Sequence, residues 1–163
     1  MAKVVADAGP LIIWAHLDRL DLLRAVCGDI WVPKLVEREA TNDPRRPGAA
    51  AILTAFTMGT LPRPAPKIEE ADVTPFPTLS AGESAAIRLA IQLQCPVVMD
   101  EKRGRSIAKA QGVPVIGTLG ILLSAKRQGH IDRIKPILEN LEQMNYFISP
   151  ALYTAALKAG GES

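Results

Sequence analysis

Four short apolar runs, each followed by a helical pattern, constrain this chain more than any other feature. They are Lys3-Val4-Val5-Ala6, Asp29-Ile30-Trp31-Val32, Pro96-Val97-Val98-Met99 and Pro114-Val115-Ile116. Strands this short and this continuously apolar are buried on both faces, as in a parallel sheet covered by helices. The alternation predicts a three-layer α/β/α domain around a small parallel sheet of four to five strands.

The helices can be placed between these runs. Gly9-Pro10 opens one through Leu17, with proline near its first turn, where a missing N–H costs little. Asp18 is the expected cap of a second, carrying Leu20, Leu22, Leu23 and Val26 and ended by Gly28. Pro33 begins the helix that holds Glu39, and Ala49 to Phe56 follows. Ser80 starts one running to about Gln94, and others cover Glu101 to Gln111, Leu119 to Gln128 and Ile134 to Met144. Ser149-Pro150 caps the last. Between 60 and 79 the prolines at 62, 64, 66, 75 and 77 indicate a loop or edge strand, with Val73 as the candidate strand residue. No repeat or long linker divides the chain, so residues 1–163 are expected to form one domain, large enough to bury roughly two-thirds of its unfolded surface.

Composition excludes several classes. No apolar run approaches the ~20 residues that cross a bilayer. An acid interrupts the apolar start too early for a secretory signal, so a cytoplasmic location is expected. Cys27 and Cys95 stand far apart without metal-ligand spacing and read as buried thiols. His16 and His130 have no partner at ligand spacing and read as structural. Gly117-Thr118-Leu119-Gly120 is not a dinucleotide fingerprint, and no Walker loop is present. A net charge of +2 is too small to argue for nucleic acid by itself.

The acids say more. Asp7 and Asp100 directly follow the first and third strands, and in a parallel sheet chemistry gathers outside the strands' carboxyl ends. Glu39 lies three residues from Val36 and so beside the apolar side of its helix, whereas Glu37 is expected to face solvent. Glu83 falls in Ser80-Ala81-Gly82-Glu83, which also matches a capping box. Asp7, Asp100 and Glu101 have capping explanations of their own. Carboxylates brought together raise one another's pKa unless a cation neutralises them, and oxygen donors suit a hard cation such as Mg²⁺. Asp100-Glu101 offers a metal ligand with a second ligand or base beside it. Thr118 is placed either to bond a bound water or phosphate or to cap its helix. Lys102, Arg105 and Lys109 share one face of the helix after Asp100, where cations would position phosphates.

Taken in order, these blocks resemble the PIN-domain family over nearly the whole chain. The matching residues are Val5-Ala6-Asp7-Ala8-Gly9-Pro10-Leu11-Ile12, Leu20-Asp21-Leu22-Leu23, Val32-Pro33 to Glu39, Leu79-Ser80-Ala81-Gly82-Glu83, Val98-Met99-Asp100-Glu101 with Arg105 and Ala108, and Val115-Ile116-Gly117-Thr118-Leu119-Gly120. PIN domains are Mg²⁺- or Mn²⁺-dependent ribonucleases, and many are toxins of type II toxin–antitoxin pairs, the VapC-type among them. The resemblance implies an acidic centre of Asp7, Glu39, Glu83 and Asp100, with Asp7, Glu83, Asp100 and Glu101 as metal ligands and Thr118, Lys102 and Arg105 toward an RNA substrate. It also implies a small antitoxin partner and a homodimer. Relatives in this subgroup often carry two aspartates where this chain has Asp100-Glu101, which moves one carboxylate outward by about one methylene. The other reading of the same residues is a non-catalytic PIN-like module that binds RNA or protein.

Overall fold

The computed structural model describes residues 2–61 and 75–163. Its four strands are β1 (Lys3–Ala6), β2 (Asp29–Trp31), β3 (Val97–Val98) and β4 (Val115–Ile116). They form one sheet of order β2-β1-β3-β4, and every pairing is parallel, with Lys3 opposite Asp29, Val5 opposite Val97 and Val97 opposite Val115. The central strands are the most apolar because each has a strand on either side and helices on both faces: Val5, Ala6, Val97 and Val98 have no solvent exposure.

Nine helices surround the sheet among the described residues: α1 (Ala8–His16), α2 (Leu20–Cys27), α3 (Lys34–Thr41), α4 (Ala49–Thr57), α5 (Ala81–Leu93), α6 (Lys102–Ala110), α7 (Thr118–Arg127), α8 (Lys135–Gln143) and α9 (Pro150–Ala159). One layer is built from α1, α3, α4 and α5, with α5 lying on β1 and β3. In the other, α7 packs on α2 and carries α9. The three-layer α/β architecture agrees with the strand–helix alternation. Trp14, Leu11, Leu22, Leu23, Ile87 and Leu122 fill the core, each at most 1% exposed. A dimer face on α1 and α2 would therefore have to use the half-buried Ile12, Ile13, Leu17 and Leu20. No helix among the described residues is long and apolar enough to cross a membrane.

Two expectations need correction and one falls outside view. Asp18 does not cap α2, whose cap position is Arg19. Instead Asp18 takes a left-handed conformation (φ 56°) and terminates α1. Its N–H donates to Ala15 and that of Arg19 to Trp14, the paired bonds of a Schellman turn. Glu37 is half-buried while Glu39 is the more exposed of the two. Val73 lies outside the described residues.

The far end of the molecule is fastened by one side chain. Helix α8 has no side-chain cap of its own. Glu162, beyond α9, accepts the N–H of Ile134 at 2.8 Å and of Lys135 at 3.2 Å, and Lys126 of α7 donates to it at 2.9 Å. Burial opposes ionisation there, yet these donors hold the Glu162 carboxyl down at about 2.

Candidate active site

The strand order reverses between β1 and β3, and a crevice at such a switch point, outside the strands' carboxyl ends, is where open parallel sheets place ligands. Asp7 stands at this point. Its backbone N–H donates to Val98 at 3.0 Å, which ties the end of β1 to β3. Although Asp7 occupies the N-cap position of α1, its side chain makes no capping bond. The residue is 6% exposed, and Oδ1 is buried without a hydrogen-bond partner. Desolvation pushes its carboxyl up to about 6; the Ala8 N–H opposes this, and the charges of Glu83, Glu39 and Asp100 add to it. Glu83, Glu39 and Asp100 thus all lie within electrostatic reach of Asp7.

Glu83 resolves its two readings by dividing its oxygens. Oε1 accepts the Ser80 N–H at 3.2 Å while Ser80 Oγ accepts the Glu83 N–H at 3.2 Å, completing the capping box. Oε2 is buried and has no partner. Glu101 commits its own Oε2 to the Gly104 N–H at 2.6 Å, as the N-cap of α6, and this bond first of all holds its carboxyl low. The Glu101 carboxylate also comes within hydrogen-bonding reach of Glu83. Two acceptors so close need a shared proton or a cation between them.

Asp100 is held on both oxygens by one residue. Thr118 donates its N–H to Oδ1 at 2.8 Å and its hydroxyl to Oδ2 at 2.6 Å. Thr118 has no exposed surface, so both its polar groups face Asp100. Arg105 donates to the Met99 carbonyl at 2.9 Å, which places its guanidinium beside the end of β3, whereas Lys102 is exposed in the first turn of α6.

Two glycines make room for these carboxylates. A Cβ on Gly82 would lie 2.5 Å from Glu39 Oε2, whereas one on Gly104 would collide with the Met99 sulfur and meet Glu83 Oε2 and Glu101 Oε2 only at an ordinary 3.4 Å. One on Gly117 would lie 3.3 Å from Asp100 Oδ1 and 2.6 Å from Arg105. Sequence reasoning placed Gly82 in a capping box and Gly117 in a short glycine pattern, and did not single out Gly104. It also missed Tyr146, which reaches both Asp100 and Thr118; burial and then the Asp100 charge push its hydroxyl up to about 12. A lone tyrosine between two helices carries no pattern that would single it out.

Among the described residues no three His, Cys, Asp or Glu side chains come together as a ready-made metal cage. Mg²⁺ does not require one, since it keeps several waters and is held by one or two carboxylates together with substrate phosphate. Two buried carboxylate oxygens without partners, beside further acids, fit that donor requirement.

No curated protein matches the chain. The family model for the PIN domain matches residues 3–162. PIN domains are in general nucleases. With the match spanning almost its entire length, the chain belongs to the PIN-domain family.

Proposed function

We propose that this protein is a Mg²⁺- or Mn²⁺-dependent endoribonuclease and the toxin of a type II toxin–antitoxin pair, acting in the cytoplasm as a homodimer and neutralised by a small antitoxin. The observation that carries the catalytic reading is the Asp7 carboxylate, buried without a partner on Oδ1 and crowded by Glu83, Glu39 and Asp100. Leaving charges unpaired in a core is destabilising, and such an arrangement is usual where a site is organised for chemistry.

Asp7 and Glu83 would hold the metal through their unpaired oxygens, with Glu39 and Asp100 completing the negative field. A bound divalent cation supplies an activated water and offsets charge on the leaving oxygen of a phosphodiester. The protein's own contribution is positional. Thr118 fixes Asp100 in one rotamer, the capping box fixes Glu83, and Gly82 lets Glu39 approach. Arg105 offers a guanidinium to the phosphate next to Asp100.

The test is an RNA cleavage assay with Mg²⁺, with Mn²⁺ and with chelator, comparing wild type and Asp7→Asn. Metal-dependent cleavage by wild type alone is expected; equal cleavage by both proteins refutes the assignment. The toxin reading has its own test. Expression should arrest growth, and Asp7→Asn should relieve the arrest.

A further inference from the structure

A groove of about 920 Å³ begins at Asp100 and Gly117, at the carboxyl ends of the strands, and extends past β4 to Lys3 and Pro96 at their amino ends. Its charge is one-sided. Lys3, Arg105 and Arg127 line it, and Asp100, at the catalytic end, is the single carboxylate among the described lining residues. Arg105 and Arg127 spend donors on the Met99 carbonyl and the Ser124 hydroxyl, neither of which neutralises a cation.

Aromatic surface accompanies the charge. Tyr146 forms part of the wall. Its chain neighbour Phe147, outside the lining, is 85% exposed, more than any other large apolar side chain described. Leu152, 48% exposed, also lines the groove. Asn145, in the left-handed conformation at φ 62°, lies in the turn after α8 that carries both aromatic residues. A groove with cations along it, a tyrosine in its wall and an exposed phenylalanine next in the chain matches single-stranded nucleic acid: the cations follow the backbone while unstacked bases lie on aromatic faces.

We infer that this groove is the track for the single-stranded RNA flanking the cleaved bond, with Lys3 and Arg127 on its phosphates and Phe147 stacking on a base. The inference rests on the ribonuclease reading for the identity of the nucleic acid, but its geometry stands apart from the acidic centre. Phe147 and Arg127 are both exposed, so replacing them leaves the core intact.

Binding of a short, unstructured, fluorescently labelled RNA is measured by anisotropy with chelator present, so that no cleavage intervenes. Wild type is compared with Phe147→Ala, Arg127→Ala and, as a control away from the groove, Arg45→Ala. Phe147→Ala should raise Kd about tenfold. Arg127→Ala should raise Kd and make the slope of log affinity against log salt shallower by about one. Arg45→Ala should bind as wild type does. If both groove variants bind as tightly as wild type, the track is wrong even where wild type cleaves RNA, and the groove is left to another occupant such as an acidic peptide. If they bind weakly but wild type cleaves nothing with Mg²⁺ or Mn²⁺, the track stands and the ribonuclease reading fails. Absence of any RNA binding by wild type overturns the track.

Discussion

Asp7 is a carboxyl group that the fold makes reluctant to ionise, and this has a measurable sign. Its folded value of about 6 lies above the ordinary 3.8, so the folded chain holds the proton more tightly than the unfolded one. Stability therefore falls as pH rises from about 4 to about 6, and a penalty of about 3 kcal/mol persists at neutral pH. Asp7→Asn removes the charge. In chelator at pH 7.5 the variant should melt roughly 6–12 °C above wild type, and the gain should largely vanish near pH 4. A variant less stable than wild type at pH 7.5 would contradict this account. Thr118 supplies a second test. Thr118→Val deletes the hydroxyl that holds Asp100 Oδ2, which should cost about 1–2 kcal/mol in thermal melts and slow RNA cleavage about tenfold, while Thr118→Ser keeps both. The strand-end acids were legible because position after an apolar run has physical meaning. The orientation of Glu37 and Glu39 was not, because helical spacing fixes a face but not which of two flanking residues a neighbouring helix covers.

At the scale of the element, helix ends are where sequence and structure part most often. Ser80 and Ser149 cap as their spacing suggests, each accepting an N–H three residues on. Asp18 looked like a start signal and is a stop signal, since aspartate serves at either end: its short side chain accepts N–H groups and also tolerates left-handed backbone. Gln94 ends α5 in the same conformation (φ 53°) without that tolerance. Gln94→Gly should raise stability by about 1 kcal/mol, read as a higher denaturant midpoint at unchanged slope. Glu162 was invisible in the sequence because its partners, Lys126, Ile134 and Lys135, are fixed only by tertiary packing. Its depressed carboxyl stabilises the fold above about pH 4.5, and that contribution disappears as pH falls toward 2. Glu162→Gln should therefore lower the melting temperature at pH 7 and make less difference below pH 3.

For the whole molecule, the order β2-β1-β3-β4 determines what a cation can do. Below about pH 6 a cation bound at Asp7 must displace a proton, so binding and pH are linked. Mn²⁺ at a hundredfold excess over Kd should stabilise wild type by about 2.7 kcal/mol, with tighter binding at pH 8 than at pH 5.5. Thermal melts across a Mn²⁺ series check this, and the absence of any shift at pH 8 would favour the non-catalytic reading. The parallel sheet and its helices were readable because alternation of element types leaves few topologies. The groove beside β4 was not, because it depends on how far α7 and the turn before α9 stand from the sheet edge.

The four acids come from the end of β1, from α3 and α5, and from the end of β3, so no single element carries the site by itself. Asp7 meets Asp100 only after β1 has paired with β3, a contact between residues at opposite ends of the first hundred. Such long-range pairing is late and slow compared with helix formation. A nascent or partly unfolded copy is thus disarmed by its own topology. For a protein proposed to cut RNA, folding itself becomes the safety catch.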